Sequence, residues 1–223
     1  MGETAPARLS AARAGAFIAA NTSLLAPPHV PEIRLHLASE VNALWRSTEE
    51  ELAAIGLPPP FWAFAWAGGQ GLARHVLDHP ESVRGRSVLD FASGSGLVGI
   101  AAAMAGAVKV VCADTDPFSA EAARLNAAAN RVSLRTTTRD LVGTPVTQDV
   151  VLAGDVFYDR ALAERLTPWF SALVDAGKTV LVGDPGRAYL PRVRMTEQAA
   201  YEVATTRELE DSEVKRTAVW QFS

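Results

Sequence analysis

Residues 88–100 read VLDFASGSGLVGI. An apolar run broken only by Asp90 leads into a glycine-rich turn, and the turn into a second apolar run. This is the pattern of a buried strand, a tight turn and a helix. Gly94, Gly96 and Gly99 stand at the spacing G-x-G-x-x-G, and Asp114 closes the next apolar run, VKVVCAD (108–114). Glycines at these positions let the backbone turn sharply and come close to a ligand. A carboxylate at the end of the second strand is placed to hold ribose hydroxyls. The glycine spacing can arise by chance in an Ala-rich chain; Asp114 at ribose spacing weighs against that.

Working outward, strands and helices alternate. Strands are expected at 87–91, 108–114, 132–138, 149–155 and 178–184. Helices are expected at 95–106, 117–130 and 160–177, the last carrying Pro168. Pro117 suits a first helical turn, where a missing N–H does little harm. Such alternation predicts an α/β fold with a mostly parallel sheet covered by helices on both faces. The segments 201–209 and 215–223 alternate in polarity around an acidic EDSE and predict an antiparallel hairpin at the sheet edge. Upstream, residues 8–20 and 39–55 read as helices and 33–37 as a strand. LPPPFWAFAW (57–66) cannot start as a helix, because proline removes donors and fixes φ. A helix is expected over 68–80. The chain therefore divides into a helical N-terminal extension, 1–66, that covers the site, and a main domain, 67–223.

Composition narrows the class. The chain has 223 residues and a net charge of −4, without the basic footprint of a nucleic-acid binder. Its one cysteine, Cys112, lies in an apolar run; it reads as a buried thiol in a reducing compartment. The longest weakly charged run, 94–108, is too short for a membrane span. The first 15 residues lack the apolar stretch of a secretory signal. A monomer without nucleic-acid or membrane partners is expected. His75 and His79 stand i, i+4 on a predicted helix, but no third ligand is suitably spaced, so a solvated helix face is expected and no metal.

Two cofactor classes use a glycine turn of this kind. Dinucleotides put a pyrophosphate at the helix N-terminus. S-adenosylmethionine has no phosphate, and its ammonium and sulfonium favour carboxylates near the turn. Asp90 would repel a pyrophosphate and could meet an amino group through water; alternatively it caps a helix or turn. The balance favours S-adenosylmethionine.

GDVFYD (154–159) follows the fourth strand. Strand C-termini in such folds are where ligands bind. Asp155 and Tyr158 are the candidates for contact with a ligand, Phe157 reads as core, and Asp159 reads as the cap of the next helix. A carboxylate beside an ammonium raises its pKa, which opposes deprotonation. If the ligand is an amine, Asp155 is therefore expected to capture and orient its ammonium rather than to act as a base. Tyr158 could offer a hydroxyl and a ring face.

VLDFASGSG with VVCADTDP resembles the seven-stranded class I methyltransferases, and Asp155-Val156-Phe157-Tyr158 resembles the acid-x-x-aromatic motif of their lysine branch. PEIRLHLA, PFWAFAWAGGQGLARHVLDHPESVRGRSVLD, VGDPGR and TAVWQF narrow the resemblance, over about residues 21–222, to the lysine methyltransferases of the electron transfer flavoprotein β subunit. The resemblance implies a Rossmann-like seven-stranded sheet and trimethylation of lysines on that subunit, in the cytoplasm for bacterial members and in mitochondria for animal ones. It implies that Trp66 approaches the cofactor, and that Ala92, Ser93, Gly94 and Gly96 form its backbone cradle. Asp114 would hold the ribose, with Thr115 beside it. Leu141 would lie by the adenine, and Gly154 and Asp155 at the floor of the methyl-transfer pocket. Ala92 stands where the wider family has glycine, which one methyl allows if φ is negative. Asp184 and Arg187 either touch the protein substrate or tie down their turn. The alternatives are a methyltransferase of a ribosomal or other protein or of a small amine, an NAD-dependent oxidoreductase, and a non-catalytic binding module.

Overall fold

The computed structural model describes residues 11–38, 59–205 and 210–223. The chain opens with α1 (Ala11–Asn21) and a small antiparallel pair, β1 (Ser23–Leu25) and β2 (Leu35–Leu37). After α2 (Ala67–Asp78) come β3 (Ser87–Phe91), α3 (Leu97–Met104), β4 (Lys109–Ala113), α4 (Pro117–Ala129) and β5 (Arg135–Thr137). Then follow β6 (Val150–Gly154), α5 (Arg160–Asp175), β7 (Thr179–Asp184), β8 (Met195–Ala204) and β9 (Val214–Phe222). Seven strands form one sheet in the order β5-β4-β3-β6-β7-β9-β8; β9 is antiparallel to β7 and to β8, and the other pairs are parallel.

The central strands are buried on both faces, which is why they read as near-continuous apolar runs. Val150, Val151, Leu152 and Ala153 of β6 have no exposed surface. The chain runs from β3 outward through β4 to β5, then returns to place β6 on the other side of β3. Ligands bind in such a fold at the carboxyl ends of the strands where the order reverses. That point lies between β3 and β6, beneath the glycine turn and GDVFYD.

The described part of the extension packs onto α4. Phe17 meets Phe118 edge to face at 5.5 Å, and Trp62 stacks on Phe118 at 6.1 Å. The backbone N–H of His36 donates to Asn126 Oδ1 at 2.7 Å. The strand expected at 33–37 is β2, and it pairs with β1. The predicted helix at 39–55 falls outside the described residues.

Two expectations change. β8 begins at Met195 rather than at 201: it is an edge strand with mostly exposed side chains, and a register shift between Glu197 and Ala199 breaks its alternation. His75 is buried, 8% exposed, with Nδ1 3.3 Å from the Tyr201 hydroxyl, because β8 covers a helix face expected to be solvated. Asp159 caps α5 as expected, accepting from Leu162 N at 2.8 Å.

Candidate functional site

A cavity of about 530 Å³ opens at the carboxyl ends of the parallel strands, within the usual size of a small-molecule site. Asp114, Thr115 and Leu141 line it, as do Trp66, Ala92, Gly94, Gly154, Asp155 and Tyr158. Residues from Trp66 to Tyr158 thus meet at one end of the sheet. A small recess beside it, about 50 Å³, is bordered by Trp66, Asp90, Ser93, Gly94 and Gly154.

Asp114 is held by the turns it links. Its Oδ2 accepts from Gly94 N at 2.9 Å and its Oδ1 from Asp116 N at 3.0 Å. A carboxylate has about four acceptor positions, so one on each oxygen is left for vicinal hydroxyls. Phe91, Leu141 and Val142 add apolar surface in the same cavity. A nucleoside fits that donor and acceptor set.

Asp90 lies under the turn rather than in the main cavity. Its Oδ2 accepts from Gly99 N at 2.8 Å, and burial pushes its carboxyl up to about 8. This is the capping alternative; contact with a ligand is open only through the small recess. Gly96 is also displaced from the expected cradle. It precedes α3 with φ +78°, and an added Cβ would lie 2.8 Å from the Ala123 Cβ, so it serves the packing of the turn on α4.

Ala92 does not meet the condition of a negative φ: it sits at +52°. A left-handed conformation costs a non-glycine residue about 1–2 kcal/mol, partly offset by the greater chain entropy that glycine loses on folding. Ala92→Gly is expected to stabilise the protein by about 1 kcal/mol, raising Tm by roughly 2–4 °C. Thermal unfolding followed by circular dichroism checks this, and an unchanged or lower Tm would count against strain at this turn.

Asp155, also at positive φ (+57°), is 8% exposed and fully engaged. Its Oδ2 accepts from Gly68 N at 2.5 Å and Gly69 N at 3.2 Å, at the start of α2. Its Oδ1 faces Arg187, with Nε at 2.9 Å and Nη2 at 2.6 Å. Burial pushes its carboxyl up to about 6, and the Arg187 charge opposes that rise. All its acceptor positions are therefore taken within the protein. The expected carboxylate free to receive an ammonium is not what this structure presents.

One contributor was not legible in the sequence. Glu210 is buried; its Oε1 accepts from Arg187 Nη2 at 2.9 Å and from Ala67 N at 3.2 Å. Arg187 is thus clamped between two carboxylates while lining the cavity. Asp184 does tie down its turn, its Oδ1 accepting from Gly186 N at 2.6 Å and Arg187 N at 2.7 Å. Tyr158 is 54% exposed, and burial of part of its ring raises the phenol pKa, helped by Asp159 and Asp114. Among the described residues no His, Cys, Asp and Glu cluster could hold a metal.

The model of the ribosomal protein L11 methyltransferase (PrmA) family matches residues 74–181. The electron transfer flavoprotein beta subunit lysine methyltransferase of Xenopus laevis is 38% identical over 224 residues, spanning 97% of this chain and 90% of that protein. Its namesake of Homo sapiens is 34% identical, over 93% of this chain and 81% of its own length. The structure of magnesium protoporphyrin IX methyltransferase from Synechocystis PCC 6803 with bound SAM superposes with a TM-score of 0.52, at 16% identity, over 68% of this chain and 78% of that one. That likeness extends to the fold. Identity at this level along almost the whole length, on a sheet of this order, leaves the dinucleotide alternative behind. The chain belongs to the family of electron transfer flavoprotein beta subunit lysine methyltransferases.

Proposed function

We propose that this protein transfers methyl groups from S-adenosylmethionine to lysine nitrogens of the electron transfer flavoprotein β subunit. The observation that carries the reading is a single cavity joining Asp114, at the end of β4, to Gly154, Asp155 and Tyr158, at and beyond the end of β6. Asp114 holds the ribose, Thr115 and Leu141 flank the nucleoside, and Trp66 with the backbone of Ala92, Ser93 and Gly94 encloses the remainder. Asp90 serves the amino end through the small recess. The cofactor supplies an electrophilic methyl group on a positively charged sulfur.

The protein's own task is placement and deprotonation. A free lysine, with pKa about 10.4, is neutral only about once in 2,500 at pH 7. A bare carboxylate in the pocket would hold its proton in place. We assign Asp155 to fixing Arg187 and the start of α2, so that the amine meets an already paired carboxylate. Tyr158 orients the amine by hydroxyl and ring, and the proton leaves by water. Near-attack placement then supplies much of the acceleration. Pro59, Phe61 and Trp66 of the extension border the site, and the buried thiol of Cys112 suits a reducing compartment, which we read as the cytoplasm. Among the described residues no helix is long and apolar enough to cross a membrane.

Labelled S-adenosylmethionine, the enzyme and a lysate of the host decide the substrate. Label in the flavoprotein β subunit is expected; label confined to a ribosomal protein or a small amine would overturn the assignment. Asp114→Asn is expected to weaken S-adenosylmethionine binding by about tenfold to a hundredfold, the worth of a hydrogen bond to a charged group. Calorimetry reads this directly, and an unchanged affinity would remove Asp114 from the ribose.

A further inference from the structure

Four aromatic residues line the cavity that Asp155 also borders, and three of them, Phe61, Trp66 and Tyr158, stand together. The Phe61 ring centroid lies 6.0 Å from Trp66 and 6.2 Å from Tyr158. The indole N–H of Trp66 donates to the Phe61 carbonyl at 3.0 Å, so the two rings are tied to one turn. That turn is stiff. Pro59 and Pro60 precede it, and Trp62, 1% exposed, anchors it on Phe118. Phe61 itself is 49% exposed. A rigid turn that holds a phenylalanine half in water beside a cavity keeps apolar surface available for something that enters.

An amine that enters beside Asp155 finds no free acceptor there and has these rings for neighbours. A site that reads an amine through hydrogen-bond acceptors rejects it as methyl groups replace N–H, since its polar groups lose their partners. Ring faces behave in the opposite way. They attract the cation without using its N–H bonds, and quaternary ammonium groups are the ligands such aromatic walls suit best.

The geometry points to Phe61 as the residue that decides how many methyl groups the target nitrogen receives, by giving the methylated ammonium a ring face together with Trp66 and Tyr158. This rests on the lysine methyltransferase reading above. In each round the nitrogen lone pair forms the new N–C bond. The S–C bond breaks with its electron pair left on sulfur, and S-adenosylhomocysteine departs. Before the next round one N–H proton passes to water. Phe61 acts between rounds: it keeps the larger, less hydrated amine seated for the next attack.

The test compares Phe61→Ala, Phe61→Leu and Phe61→Tyr with wild type under excess S-adenosylmethionine, reading mono-, di- and trimethyl-lysine by intact-protein mass spectrometry. Ala and Leu are expected to slow the later rounds about tenfold relative to the first, the scale of a lost cation–ring contact. Mono- and dimethyl products then accumulate, while Tyr keeps the wild-type distribution. Leu retains apolar bulk on a half-exposed site, and circular dichroism confirms its fold. Rounds slowed in equal proportion, a Leu variant with the wild-type distribution, or a wild-type enzyme that stops at one methyl would each overturn the proposal. The wild-type arm tests the substrate separately. If another protein takes the label, the flavoprotein assignment fails, and the product states on that protein still decide Phe61.

Discussion

Asp155→Ala is expected to abolish methyl transfer, lower stability by about 3 kcal/mol and leave S-adenosylmethionine binding in place. The stability loss follows from what the carboxylate holds. Removing it strands Gly68 N and Gly69 N at the start of α2 and deprives the partly buried guanidinium of Arg187 of one of its two partners. Asparagine is no remedy. One face of the side chain meets two N–H donors and the other meets a guanidinium, so the amide NH₂ must confront a donor in either orientation. Asp155→Asn is therefore expected to cost about 1–3 kcal/mol for the unpaired groups, and to lose most activity, because Arg187 and the first turn of α2 form the wall against which the amine is placed. Cofactor binding survives because Asp114 is held independently by Gly94 and Asp116. Denaturant unfolding, calorimetry and labelled transfer measure the three quantities. Cofactor affinity lost in step with activity would move Asp155 to the cofactor and sink the assignment made here.

The residues that were legible in the sequence are those whose signal is local. VLDF, VVCAD and DVVLA are apolar because both faces of the central strands are covered, so the strands of the parallel half could be read with their helices. Asp159 announces its cap by position alone, and the structure bears it out. The Asp155–Arg187–Glu210 clamp left no such mark. Its members lie 32 and 23 residues apart, on three different turns, and nothing in their spacing says which charges face one another. The reading of Asp155 as a free carboxylate failed for that reason. His75 misled in a related way: HVLDH looks like a polar helix face, and only the early start of β8 brings Tyr201 over it. Phe61 was hidden among apolar neighbours, because exposure is a property of the turn rather than of the residue type.

Gly183→Ala is the second large effect, and it tests how α2 is set against the sheet. At this crossing the backbone of β7 touches the first turn of α2. A Cβ on Gly183 would fall onto the carbonyl oxygen of Gly68, with the Leu72 Cβ 2.7 Å away. A Cβ on Gly68 would fall onto the Gly183 carbonyl oxygen and lie 2.5 Å from Asp155 Oδ2. Neither contact is relieved by turning a flexible side chain, since backbone meets backbone. Overpacking of this kind costs about 3 kcal/mol, the upper part of its usual range. Thermal unfolding should therefore show Tm lower by roughly 6–12 °C. The folded fraction at low temperature should bind S-adenosylmethionine and transfer methyl poorly, because moving the start of α2 withdraws the two N–H groups that seat Asp155. Gly68→Ala should cost a similar amount. The double variant should cost less than the sum, because the first methyl has already opened the crossing that the second would open again, and residues in contact are not additive. Full additivity, or a Gly183→Ala variant within about 0.5 kcal/mol of wild type, would mean that α2 and β7 are not held by this contact. The positioning of Asp155 would then have to come from Arg187 and Glu210 alone.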